Sequence, residues 1–461
     1  MLSDLTRLFK THKKIASWIL IAFVAVALVT GLVSARRALK GSNDFDTFYY
    51  AGRAALTDSD LYGTADSTDP AVARGPFLYP PFAACVFSIY AVLPMGAAAF
   101  AWNLTLCVLF AICIGFISKM LRRESRDELR FWQGLTVPDR VVLLVFAGAL
   151  LFDNLAMAQV NILVFFLTLA SLFLWKSKKL ILAGCLLAAA AFIKLTPLIF
   201  CLYFFLKKEW RVLAGFVTGA LFCVFLIPAV FFGFQDSQVY HRQWAERILK
   251  PWAFEFSGMT YTEPDNTWGK TALVLKHERL VKKLIPKNQS LEATMNRLFL
   301  KGQPRHGYLP YPLHPARYYS EMPIIFGGLT RPVLRIVIFA MQALLLIMLC
   351  WFTVSRKTRL AGVGDLLVLS LYFLSITLLA PWTRSHQFIV WLFPLVSVFA
   401  GLPRESPSLQ KKLRIGVYGC FVLYCLQALP YGKAAGMGTW ANGVLLLTSL
   451  VLLKKIKSKP A

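Results

Sequence analysis

Charged residues are scarce: 16% of the 461-residue chain, with only 23 Asp+Glu set against 50 Lys+Arg. Soluble domains carry roughly a quarter of their residues as charges. With a mean hydropathy of +0.59 and 57% of residues hydrophobic, the chain is not a cytosolic enzyme. Metal-ligand spacing is missing too. The nine cysteines (Cys85, Cys107, Cys113, Cys185, Cys201, Cys223, Cys350, Cys420 and Cys425) lie in or at the ends of apolar blocks with no close pair, and read as small hydrophobes. There is no low-complexity tract and no internal repeat, so inverted-repeat transporter symmetry finds no support. Short alternating segments, the mark of a membrane β-barrel, are absent as well.

What the chain does have is apolar blocks. Several approach the ~20 residues that a helix rising ~1.5 Å per residue needs to cross ~30 Å of hydrocarbon. The class that fits is an all-α polytopic membrane protein. A net charge of +27 would suggest a nucleic-acid binder in a soluble chain. Here the basic residues sit in short clusters between apolar blocks, where they hold loops on the cytoplasmic side, so membrane lipids and not nucleic acid are the expected partners. The first block, Ile15 to Ala35, is too long for a signal h-region and lacks a small-residue cleavage site, so it is read as a retained helix.

Loop polarity taken from Lys and Arg alone, starting with Arg7, Lys10, Lys13 and Lys14 inside, gives about twelve spans with both termini cytoplasmic. After Ile15–Ala35, residues 36–96 form a first external loop holding an apolar segment, Phe82–Leu93, too short to span and read as an interfacial helix. Further spans are read at Ala97–Leu121, Val141–Ala158, Asn161–Trp175, Leu180–Ile193, Leu198–Leu206 and Val212–Phe234. A large external loop occupies residues 235–331. The last spans are Val333–Val354, Leu366–Ala380, Phe388–Leu402, Ile415–Leu429 and Val444–Leu453. The whole, residues 1–461, is expected to be a single integral-membrane domain.

On this topology the polar residues gather outside. The first external loop carries Asn43-Asp44-Phe45-Asp46-Thr47-Phe48-Tyr49-Tyr50-Ala51-Gly52-Arg53, then Asp60-Leu61-Tyr62 and Tyr79-Pro80-Pro81. A carboxylate beside aromatic rings can take a proton from a sugar hydroxyl while Tyr49, Tyr62 and Tyr79 cover apolar sugar faces. Asp44 or Asp46 as a helix N-cap is the equally open alternative. Gln159-Val160-Asn161, Lys194-Leu195-Thr196-Pro197 and His386-Gln387 fall at outer turns, each also explicable as an ordinary turn or snorkelling side chain. Lys194 is the sharpest case, a cation in an apolar stretch suited to a phosphate oxygen. In the large loop, Leu291, Met295 and Leu298 share one face of a short helix that follows Asn288-Gln289-Ser290 and carries Arg297.

At these residues the sequence resembles the membrane mannosyltransferases of glycosyltransferase family 87, GT-C-type enzymes. The matching pieces are Asp44-Phe45-x-x-Phe48-Tyr49-x-Ala51-Gly52-Arg53-Ala54, Leu61-Tyr62, Tyr79-Pro80-Pro81-Phe82, Gln159-Val160-Asn161, Lys194-x-x-Pro197, Asn288-Gln289-Ser290-Leu291 with Arg297, and Pro381 followed by His386. The family tends to have Ser-Trp-x-His-His after that proline, and this chain has Thr383-Arg384-Ser385-His386-Gln387, keeping the first histidine only.

The resemblance implies a GT-C-type fold in a bacterial inner membrane with its active site on the extracytoplasmic side. It implies transfer of a hexose, mannose in the first instance, from a polyprenyl-phosphate-sugar donor to a lipid or glycan acceptor. Asp44 is then the base of an inverting displacement, and Lys194, Arg297 and His386 stabilise the donor phosphate. Asp46, Tyr49, Tyr62, Tyr79, Gln159, Asn161, Asn288, Gln289 and Ser290 bind substrate. No cofactor is expected. Asp44-Phe45-Asp46 looks like an Asp-x-Asp metal signature, but a monophosphate leaving group can be neutralised by Lys and Arg, so no metal is expected either. The rival reading is a transporter or flippase of an anionic lipid or solute, which calls for ionisable residues near mid-span. Apart from Asp153, and Arg335 and Lys194 near the outer ends, the spans lack them.

Overall fold

The structure is a computed structural model that describes residues 13–40, 43–57, 59–62, 77–125, 134–246, 288–301, 326–354 and 362–457. Much of the two long polar loops (63–76, 247–287 and 302–325) and the basic clusters at 7–10, 126–130 and 356–359 lie outside the described residues. Among the described residues every regular element is a helix, and Leu300 and Leu329 form an isolated bridge. The chain divides into two compact units, Met1–Met120 with Ala149–Val274, and Leu121–Gly148 with Leu275–Ala461.

The first unit contains α1 (Lys13–Leu39), α2 (Phe45–Thr57), α3 (Pro81–Ala91) and most of α4 (Met95–Ser125). It also takes the second half of α5 (Val137–Met157), then α6 (Asn161–Lys176), α7 (Leu180–Ile193) and, after a 3-10 turn at Thr196–Leu198, α8 (Ile199–Leu206). A long helix α9 (Trp210–Phe232) and α10 (Phe234–Trp244) complete it. Helices Met95–Arg122, Val137–Met157, Trp210–Phe232, Arg331–Val354 and Met437–Ile456 are long and apolar enough to cross a membrane by length and composition. Pro228, which cannot donate a backbone N–H, follows a π turn at Phe222–Leu226 inside α9.

Small residues set the closest helix crossings. A Cβ added to Gly184 of α7 would lie 2.0 Å from the Val212 carbonyl oxygen, and one on Gly215 of α9 would lie 2.1 Å from that of Ile181. Gly215 and Gly219 therefore form a small-xxx-small face on which two backbones touch. The Cys185 thiol donates to the Gly215 carbonyl at 3.3 Å across the same seam. Gly215→Leu should force α7 and α9 apart, at about 1–3 kcal/mol or more for overpacking, and lower the thermal midpoint of the detergent-solubilised chain. Gly148→Leu, facing open space, should leave that midpoint in place.

The second unit takes the first half of α5 and adds α11 (Leu291–Phe299), α12 (Arg331–Val354) and α13 (Val363–Leu379). A 3-10 segment (Ser385–Trp391) leads into α14 (Leu392–Gly401), followed by α15 (Pro407–Leu426), α16 (Pro430–Ala434) and α17 (Met437–Lys457). Every residue from Leu366 to Leu378 is buried, so α13 is apolar all round because it is enclosed all round. Leu291 and Met295 of α11 pack with Leu334, Ile338 and Leu345 of α12 and with Leu378. At the start of α5, the Asp139 carboxylate accepts from the Thr136 amide (2.9 Å) while Thr136 Oγ1 accepts from the Asp139 amide (3.3 Å), a reciprocal cap. Asp139, fully buried, also pairs with Arg414 at 3.0 Å and accepts from the Tyr418 hydroxyl at 2.7 Å, pinning α5 to α15.

The helices overrun several apolar blocks, and the reason is local. Hydropathy marks the hydrocarbon-matched part of a helix, and α1 continues past Ala35 through Arg36 and Arg37. The last helix starts at Met437, ahead of Val444, because donors on its early polar residues find acceptors in the protein. Thr439 Oγ1 donates to the Gln289 carbonyl (2.7 Å), and Asn442 Nδ2 donates to the Leu374 carbonyl (3.0 Å). The short segment after Pro80 is a helix of 11 residues, Pro81–Ala91, opened by proline at its first position.

Candidate functional site

The first unit builds its polar cluster on the C-terminal end of α5. The last carbonyls of a helix have no partner within it, and here four different groups answer three of them and the carbonyl that follows. Asn103 Nδ2 donates to Leu155 O (3.1 Å), Arg37 Nη1 to Ala156 O (2.9 Å), the Asp44 amide to Met157 O (3.3 Å) and Trp102 Nε1 to Ala158 O (2.9 Å). α1, α4 and the start of α2 are thereby tied to one helix end. Ala158 takes a left-handed φ of 50°, which ends α5 and lets α6 begin at Asn161.

That turn carries both sequence-singled side chains. Gln159 Nε2 donates to Asp44 Oδ2, and Asn161 Oδ1 accepts from Lys194 Nζ at 2.7 Å. Asn161 Nδ2 in turn donates to Asn154 Oδ1 at 3.4 Å. A carboxylate and an ammonium from distant parts of the chain are thus held by residues two positions apart. Gln159 and Asn161 are buried, while Asp44 and Lys194 are half-buried and keep some exposure. Lys194 stands just past the end of α7 in extended conformation (φ −151°, ψ 125°), which turns it out of the helix line. The helix stops here because Pro197 has no N–H to give the Ile193 carbonyl four residues back and its ring would clash with that carbonyl in a continuing helix.

At the start of α2, the amide of Phe45 is taken by Asn43 Oδ1 (3.3 Å) and that of Thr47 by Asp46 Oδ1 (2.7 Å). Asp46 is buried, so the two aspartates have different surroundings. The aromatic residues of this region pack on one another and on main-chain carbonyls. Tyr49 is buried and its hydroxyl donates to Leu93 O (2.9 Å); the Tyr62 hydroxyl donates to Tyr79 O (2.7 Å). Tyr79 lies against Phe48 at 5.0 Å and Phe77 at 5.6 Å between ring centroids. Gly52 has a steric reason: a Cβ there would sit 2.6 Å from the Phe87 carbonyl oxygen of α3.

The second unit gathers Asn288, Gln289, Ser290 and Arg297, and these and His386 are all buried. Asn288 Oδ1 accepts from the amides of Ser290 (3.0 Å) and Thr383 (3.1 Å), and its Nδ2 donates to Pro381 O (3.2 Å). Gln289 donates through Nε2 to Lys433 O (2.8 Å), and its Oε1 accepts from the Gly438 amide (3.0 Å). Ser290 caps α11, accepting from the Ala293 amide at 3.1 Å. Arg297 points inward from that helix. Its Nε donates to Ala434 O (3.0 Å), Nη1 to Asn288 O (2.7 Å) and Nη2 to Thr294 Oγ1 (3.2 Å). Burial draws its pKa down to about 9, which leaves it charged at neutral pH. His386 lies on the 3-10 segment beside Arg384, whose guanidinium stacks over Trp382 at 5.0 Å. The structure therefore forms one cluster of Asp44, Gln159, Asn161 and Lys194 in the first unit and a second of Asn288, Gln289, Ser290 and Arg297 in the other.

Several residues of these networks were not singled out in the sequence. Asn43, Asn103, Asn154, Thr383 and Thr439 are buried and bonded as above. Asn103 and Asn154 carried a usable signal, each being an amide inside an apolar span. Thr383 and Thr439 carried none, since a single threonine in a turn or helix is unremarkable.

Fold and site together define an all-helical polytopic membrane protein that presents a carboxylate and an ammonium from a single helix-to-helix turn. More specifically, residues 77–275 match glycosyltransferase family 87. That segment contains Gln159, Asn161 and Lys194; Asp44 precedes it, and Arg297 and His386 follow it. The chain is 31% identical over 180 residues to a polyprenol-phosphate-mannose-dependent alpha-(1-2)-phosphatidylinositol pentamannoside mannosyltransferase of Mycolicibacterium smegmatis, covering 38% of this chain and 40% of that protein. It is 27% identical over 208 residues to a polyprenol-phosphate-mannose-dependent alpha-(1-2)-phosphatidylinositol mannoside mannosyltransferase of Mycobacterium tuberculosis, covering 43% of this chain and 47% of that protein. The aligned part thus spans less than half the length of these relatives. No solved structure matches.

Proposed function

We propose that the protein transfers a hexose, mannose in the first instance, from a polyprenyl-phosphate donor to a hydroxyl of a lipid or glycan acceptor at the extracytoplasmic face. The supporting observation is the shared turn, where Gln159 holds Asp44 and Asn161 holds Lys194. The step is a single inverting displacement. The acceptor oxygen attacks the anomeric carbon, its proton passes to the Asp44 carboxylate, the bond from that carbon to the phosphate oxygen breaks, and polyprenyl phosphate leaves with the electron pair. Lys194 meets the charge growing on the departing phosphate, so no metal ion is required. For Arg297 we propose a holding role, fixing the 288–291 segment on which the 380–386 loop rests.

The test is incubation of purified protein with radiolabelled polyprenyl-phosphate-mannose and a lipid extract of its host, in EDTA. Label should move to a new lipid or glycan product. Lys194→Gln should reduce the rate by about 10²–10³-fold, as for other losses of a single charge-stabilising donor, with Lys194→Arg in between. Intact donor at the end of the reaction, together with protein-dependent movement of labelled lipid between leaflets of vesicles, would overturn the enzyme reading in favour of transport.

A further inference from the structure

The C-terminal part of α2 and the turn that follows α3 flank an open cleft of about 340 Å³, lined by Tyr49, Arg53, Leu56, Val92, Leu93 and Pro94 among others. Its floor is fixed by the Tyr49 hydroxyl on Leu93 O. From Ala51 to Ala55 every α2 residue except Arg53 is buried, so the guanidinium is the one charged group that this stretch sends outward. Apolar side chains of its lining stand in the open: Val92 is 70% exposed, with Leu56 and Leu93 also exposed. The end of α1 reaches the same place. Leu39 packs at Gly96, where an added Cβ would lie 3.5 Å from Leu39 Cδ1, and Arg36 and Lys40 beside it are exposed. Asp60, beyond the end of α2, turns its Oδ1 to the Tyr62 amide (3.1 Å).

Exposed apolar side chains alone are ordinary on a membrane protein. Apolar walls beside an outward cation are the pattern that binds a headgroup and its chains together. We propose that this cleft seats an anionic phospholipid, with Arg53 taking the phosphate through two parallel N–H donors, Arg36 and Lys40 adding attraction, and acyl chains lying along Leu56, Val92 and Leu93. Soluble phosphates would leave those walls wet, so the ligand is the lipid. The seat does not depend on glycosyl transfer.

The experiment is native mass spectrometry of the full chain in detergent, titrated with phosphatidylglycerol or with phosphatidylcholine of matched chains. Wild type should retain phosphatidylglycerol in preference. Arg53→Gln should weaken that retention about fivefold, the effect of one cation at an anionic lipid surface, and Arg36→Gln/Lys40→Gln should weaken it further. Arg53→Lys should fall between. Arg242→Gln, which removes an exposed charge on α10, should change nothing. The proposal is overturned if Arg53→Gln binds as wild type does, if Arg242→Gln weakens binding equally, or if millimolar glycerol phosphate displaces the lipid, which would make the site one for soluble phosphate.

Discussion

Asp44→Asn should lower transfer by about 10²–10⁴-fold, the contribution of a positioned general base, without lowering the thermal midpoint. The substitution is close to isosteric. An asparagine can still accept from Gln159 Nε2 through its amide oxygen and keeps the main-chain bond from residue 44 to Met157 O. What it cannot do is take up a proton from the acceptor hydroxyl. Asp46→Asn is the matched control. Asp46 is buried in the first turn of α2 with its Oδ1 on the Thr47 amide at 2.7 Å, a bond that an asparagine oxygen also makes, so most activity should survive. Single-turnover rates with labelled donor separate the two. Equal losses at both positions, or none at Asp44, would remove Asp44 from the role of base.

Much of the helical order was readable because apolar blocks mark the part of each helix that matches hydrocarbon. Leu180–Ile193 was read with the ends it has in the structure, and α11 carries the face of Leu291, Met295 and Leu298 that its periodicity required. Polarity inside spans blurred other ends. Thr439 and Asn442 look unfavourable for a membrane helix until their partners at Gln289 and Leu374 are known. The site divides in the same way. Asp44, Gln159, Asn161 and Lys194 stood out as polar residues at helix ends, and the structure joins them pairwise. The work of Asn288, Gln289 and Arg297 was not legible, because their partners are main-chain carbonyls and amides 90 to 150 positions away for the most part, such as Pro381, Lys433 and Gly438. A backbone carbonyl leaves no mark in a sequence.

Arg297→Met is expected to act on stability before it acts on chemistry. Methionine fills a similar volume but leaves the carbonyls of Ala434 and Asn288 without their donors in a buried setting, at about 1–3 kcal/mol for each unsatisfied group, so a loss of roughly 2–6 kcal/mol follows for the pair. The damage should spread along the chain of bonds. Asn288 orients Thr383 and Pro381, so the 380–386 loop that carries His386 loosens when the 288–291 segment does. Arg297→Lys should recover only part, because one ammonium cannot reproduce a fork that reaches Ala434 O and Asn288 O at once. Thermal unfolding in detergent, read together with the KM for the polyprenyl-phosphate donor, tells holding from direct phosphate contact. Holding predicts a lowered midpoint, with the enzyme that remains folded showing a donor KM near wild type. A guanidinium that touches the donor phosphate predicts the reverse, an unchanged midpoint and a raised donor KM, and that result would return Arg297 to the reacting groups.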